Sequence, residues 1–129
     1  MNDKTLLELA AKAYGFGGGS FTWCDPVLRN DTNAVITDGG LWDYTDNRTL
    51  WNSLTNDGDA LRLAVKLRID FYISDDSGES AYAGYYKPDA GGLRKRFMIQ
   101  RFDDSPSPYA ATRRAIVRAA AAIAEQGEK

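Results

Sequence analysis

The chain has 129 residues, of which 43% are hydrophobic, 26% charged and 12% aromatic. That is enough for one globular domain over 1–129 and excludes a disordered chain, which would be poor in Trp, Tyr and Phe. A net charge of −2 does not argue for duplex DNA binding, where a basic domain is the usual footprint. With no histidine at all, Ser-His and Cys-His nucleophiles and His-ligated metals are excluded too.

The single cysteine, Cys24, cannot form an internal disulfide and is expected to act as a small half-buried hydrophobe. Leu6 to Ala13 is interrupted by Glu8 and Lys12 and does not read as a signal peptide, and no apolar run nears the ~18 residues of a membrane span. The expected setting is a reducing cytoplasm. Residues 1–60 hold four basic against nine acidic side chains, and the remainder twelve against nine, a modest polarity that fits a solvated surface.

Asn2 and Asp3 precede LLELAAKAYG, whose apolar spacing predicts a helix over about 4–14 stopped by Gly15. Gly15 to Gly19 is read as a connector, because GFGGGS lacks the lysine and the following helix of a phosphate loop. Phe21, Trp23 and Cys24 predict a strand limited by Pro26, and Asp31 to Asn33 a turn. Ala34 to Thr37 and Leu41 to Tyr44 flank Asp38-Gly39-Gly40, a pattern that predicts a β-hairpin. A polar loop through Asp43, Asp46, Asn47 and Arg48 then leads to Leu50 and Trp51.

The stretch Trp51 to Ile69, WNSLTNDGDALRLAVKLRI, organises the rest. Asn56 or Asp57 caps a helix over about 58–68, and Asp59 lies in its first turn, where the helix dipole favours a carboxylate. Leu61, Ala64 and Leu67, with Ala60 and Leu63, are assigned to the buried stripe, and Arg62, Lys66 and Arg68 to the solvent side. Alternation over Ile69 to Ile73 predicts a strand, a turn follows at Asp75 to Glu79, and Ala81 to Tyr86 and Lys95 to Phe102 predict two more strands around a turn at Asp89 to Gly92. Neighbouring strands of this kind pair as an antiparallel meander. Ser107-Pro108 opens a final helix over about 108–125 ended by Gly127, with Thr112, Ala115, Ile116, Ala119 and Ile123 at helical spacing. The fold class is α+β: an antiparallel sheet of short strands flanked by three helices, a helix–sheet–helix sandwich. Both faces of the meander carry apolar groups, which predicts a homo-oligomer.

WNSLTNDGDALRLAVKL, the C-terminal AATRRAIVRAAAAI and the N-terminal LLELAAKA together resemble the phage ABA sandwich domain, a family of small tailed-phage and prophage proteins. The family favours proline after Trp-Asn, where this chain has Ser53, so its turn is less rigid. The resemblance implies a layered fold, a viral origin and a place in the cytoplasm of the bacterial host. It brings no catalytic residues.

The carboxylate pairs Asp57/Asp59, Asp75/Asp76 and Asp103/Asp104 lie in turns beside Gly, Ser or Pro, where capping and solvation account for them and acid–base work lacks a buried partner. Asp57-Gly58-Asp59 is too short for a calcium loop, and no metal or cofactor is expected. The candidate contact residues are Arg94, Lys95, Arg96 and Arg101 with Tyr85 and Tyr86, a basic and aromatic set suited to phosphate and stacked bases. A second basic stripe is Arg113, Arg114 and Arg118, and Trp51 with Asn52 is read as a core anchor that also borders a pocket. The leading expectation is a non-enzymatic phage accessory protein that binds a host component, with inhibition of a bacterial defence system as one such role. The alternative is an oligomer that sequesters a phosphate-containing nucleotide signal, and a third reading, a small metal-dependent enzyme, ranks last.

Overall fold

The computed structural model describes residues 2–16, 21–25, 27–28, 35–37, 39–42, 50–74 and 79–127. The connector glycines 17–19, the predicted turn at Asp31–Asn33, residues 75–78 of the predicted Asp75–Glu79 turn, the Asp43–Arg48 loop and Pro26 lie outside the described residues.

Helix α1 (Asp3–Tyr14) starts where the Asn2 side chain accepts the Thr5 amide at 2.8 Å and stops at Gly15, whose left-handed φ of 83° lets its amide reach Ala11 O. Strands β1 (Thr22–Cys24), β2 (Val27–Leu28), β3 (Val35–Thr37), β4 (Gly40–Trp42) and β5 (Leu50–Trp51) precede α2 (Asp57–Leu67). Strands β6 (Asp70–Ser74), β7 (Ser80–Asp89) and β8 (Gly92–Arg101) follow, then α3 (Pro108–Gly127). The Ser107 hydroxyl accepts the Ala110 amide at 3.1 Å, as an N-cap serine should.

The class is α+β, and β6, β7 and β8 form the antiparallel meander in that order. The predicted hairpin across Asp38-Gly39-Gly40 does not form: β3 pairs with β2, whereas β4 lies between β1 and β5 in a separate sheet. The glycine at 40 serves close approach instead, since a Cβ there would stand 2.6 Å from Trp51 O. This register buries Leu41 completely, a gain of about 1.5–3 kcal/mol for one leucine.

Helix α3 packs on β7 and β8, with α1 and α2 against it, and α1 in turn meets β4. The helices therefore take one face of the meander, with the small sheet beyond them. Ala111, Ala115, Ala119 and Ala120 of α3 are fully buried, as are Ala81 and Ala83 of β7, so small side chains line a close helix–sheet contact.

In α2 the buried apolar residues are Ala60, Leu63 and Ala64, while Leu61 is 54% exposed and does not belong to the core stripe. The helix turns Leu63 toward the core and leaves Leu61 and Val65 outside.

Candidate functional site

Two regions bring polar or exposed groups together: the turn before α2, where Asn52, Ser53 and Asp59 are buried, and the open face of the meander. In the turn, Asn52 is 9% exposed and directs the backbone around it. Its Nδ2 donates to Gly39 O at 2.6 Å, its Oδ1 accepts the Leu54 amide at 2.9 Å, and its carbonyl accepts the Asn56 amide at 2.9 Å. Asp59 Oδ2 accepts the Asn52 amide at 3.0 Å, and its Oδ1 accepts from the Arg62 guanidinium at 2.6 Å. Asn56 is the N-cap, accepting the Asp59 amide at 2.9 Å.

Asp59 is only 8% exposed, so the expectation of a solvated turn carboxylate fails for it. Both its oxygens are engaged in holding the turn to the helix. A cleft of about 210 Å³ lined by Gly39, Leu50, Asn52, Thr55, Asn56 and Asp59 adjoins this network. Trp51 lies in the core, stacked with Tyr14 at 5.8 Å and Phe16 at 5.5 Å between ring centroids. It anchors the core and does not line this cleft.

The arginines do not converge. Arg113 donates to Leu54 O and to Asp57 Oδ1, each at 2.7 Å, and its side chain is largely covered. Arg114 pairs with Asp3 at 2.7 Å, and Arg118 donates to Ile99 O at 2.9 Å. The stripe on α3 thus ties this helix to the α2 turn, to α1 and to β8.

Strand alternation divides the other set. Lys95 opposes Tyr86, while Arg96 opposes Tyr85 and Arg94 opposes Lys87 on the other face. Tyr85 is buried beneath the helices and is separated by the sheet from Tyr86, which is 54% exposed. Arg101 lies 3.5 Å from Asp103.

The open face carries a different constellation, which the sequence pattern alone did not reveal. Tyr72 on β6, Tyr82 on β7 and Ile99 on β8 share one cross-strand row, and Asp70, Gly84 and Phe97 the next. Tyr72 and Tyr82 stack at 5.0 Å with planes 8° apart, and Phe97 meets both edge-on at 6.2 and 6.5 Å. Phe97 is 43% exposed and Ile99 49%. The period-two pattern of the strands contained the signal, but only their register brings these rings together.

Lys95 bonds to Asp70 across β7, and its ammonium stands 5.7 Å from the centre of the Tyr86 ring and 5.6 Å from that of Phe97. The hydrogen bond from Lys95 to Asp70 holds the lysine pKa above its ordinary value. Gly84 lies under this bridge: a Cβ there would stand 2.6 Å from Asp70 Oδ1 and 2.7 Å from Lys95 Cε.

Among the described residues no group of three or more Cys, Asp or Glu side chains could hold a metal ion, and no helix is long and apolar enough to cross a membrane. No family model matches the chain, and neither a curated protein nor a solved structure matches it.

Proposed function

We propose that the chain is a non-enzymatic binding protein of bacteriophage origin that engages a protein of the host cytoplasm through the open face of its meander. The observation that carries this reading is the Tyr72–Tyr82–Phe97 cluster, with Ile99, Tyr86 and Leu93 exposed around it and the Lys95–Asp70 bridge at its side. Aromatic side chains set among a few charges are the composition of a protein-binding hot spot. The viral origin rests on the resemblance of the three helical segments, and counter-defence is the purpose that a small host-binding phage protein would serve. Nucleotide sequestration is the weaker reading, because Arg113, Arg114 and Arg118 are engaged within the fold and Arg94 and Arg96 lie across the sheet from Lys95.

The test is affinity capture from infected cells with the wild type, a Phe97→Asp/Ile99→Asp double variant and an Arg94→Ala/Arg96→Ala double variant. A host protein retained by the wild type and the arginine variant, but lost by the face variant, is the expected result. Equal retention by all three would remove the open face as the binding surface. A plaque assay on defended hosts then compares phage carrying the face variant with the parent, and equal plating would sink the counter-defence purpose.

A further inference from the structure

A second surface lies at the edge of the same sheet. Strand β6 pairs with β7 along one side, and among the described residues no strand pairs along the other. Its sequence, DFYIS, is rich in residues favoured in strands. Phe71 is 42%, Tyr72 46% and Ile73 53% exposed. Beside it, α2 presents Leu61 and Val65, 54% and 70% exposed, and α3 presents Tyr109 at 72%. Leu61, Phe71 and Tyr109 line one apolar groove of about 260 Å³, closed at its side by Asp57 and Arg113.

From this geometry we infer that β6 is the interface for a second copy of this chain, two β6 strands pairing antiparallel across a two-fold axis into one six-stranded sheet. Charge, the register such a pairing would take, and area select that occupant. The first is charge. The only ionisable group of β6 with a charge at neutral pH is Asp70, and Lys95 of the same copy neutralises it, so two β6 edges meet without repulsion. The opposite edge, β8, carries Arg94, Lys95, Arg96 and Arg101, the basic protection that keeps edge strands from pairing with themselves.

The second is register. With Tyr72 on the axis, Phe71 faces the second copy's Ile73, Ile73 faces its Phe71, and Asp70 faces its Ser74. Every contact recurs in reverse, as an isologous interface requires. The third is area. On the helix side of the sheet, Leu61, Val65, Phe71, Ile73 and Tyr109 are exposed and leave on the order of 600 Å² to cover in each copy, close to the ~800 Å² per partner of a standard interface once main chain is added.

The assembly would place two aromatic faces side by side on a continuous sheet. It does not depend on what binds those faces, and a lysine on the face can be separated from a lysine at the edge. Sedimentation equilibrium from low to high micromolar concentration tests it. The wild type is expected to dimerise, Phe71→Lys and Ile73→Lys to weaken the dimer at least tenfold, and Ile99→Lys to leave it unchanged. A wild type that stays monomeric throughout, a dimer indifferent to both edge lysines, or one dissolved by Ile99→Lys would overturn the inference. Because each substituted side chain is already exposed, the variants should fold. Amide exchange on the wild type probes the same interface without them: protection over 70–74 must fall on dilution, and concentration-independent exchange there overturns the inference.

Discussion

Asn52 shows how one buried amide can set the path of a whole segment. Its side chain joins the residue before β4 to the turn before α2, and its own amide is held by Asp59 seven positions later. Two neighbouring polar groups have no such support: the Trp51 Nε1 and the Ser53 Oγ are buried and, among the described residues, find no hydrogen-bond partner. A buried hydroxyl without a partner costs roughly 1–3 kcal/mol. Ser53→Ala is therefore expected to stabilise the protein by about 1 kcal/mol, read as a higher urea midpoint at unchanged slope, and a loss of stability would mean that the hydroxyl has a partner. In the sequence Asn52 looked like a pocket border and Asp59 like a helix cap. Asp59 could not be recognised as buried because the bond that buries it depends on how tightly the turn closes. The bond to Gly39 was still less visible, since it joins residues thirteen apart through a chain path that no local pattern encodes.

At the scale of elements, the two shorter helices end alike with different residues. Gly15 closes α1 in the left-handed region, and Arg68, at φ 57°, closes α2 there as the described residues' one non-glycine with positive φ. The Arg68 amide reaches Val65 O at 3.3 Å and the Ile69 amide Ala64 O at 2.9 Å, with Ile69 buried behind them, the bonding of a Schellman cap. An L-residue in this conformation carries a cost of about 1–2 kcal/mol that glycine escapes. Since glycine also gives the unfolded chain more freedom, Arg68→Gly is expected to gain about 0.5–1 kcal/mol, or roughly 2–4 °C in the melting temperature. A lower melting temperature would show that the arginine side chain contributes more than its backbone costs.

The helices and the meander were legible because caps and periodicity are local: Asn2, Asn56 and Ser107 each cap as their spacing implied. The hairpin at Gly39-Gly40 was misread because glycine signals a turn and a close approach with the same letter. Leu61 was misplaced because α2 has two adjacent apolar rows, and only its contacts with α1 and α3 decide between them.

Across the whole molecule, the candidate site was legible in its ingredients and not in its grouping. Arg94-Lys95-Arg96 is continuous in sequence, yet a strand sends alternate members to opposite faces. The basic stripe of α3 is spent on three internal ties. Tyr72, Tyr82 and Phe97 are far apart in sequence and meet only through register.

The Lys95–Asp70 bridge over Gly84 joins the two outer strands directly, passing above the central one where a side chain is missing. Neither outer strand can peel away without breaking that tie, so β6 and β8 should open as one cooperative unit on the exchange timescale. Native-state exchange is expected to show common opening energies for the two strands, and Asp70→Ala should split them into separate steps. Lys95 is held protonated in the fold more firmly than in the unfolded chain. The tie is therefore at full strength below the ordinary lysine pKa and fades as pH rises through the raised value. The bare backbone at Gly84 is thus a coupling device: by leaving room for one pair of side chains, a missing methyl group lets two strands that are not neighbours in the ladder share a single fate.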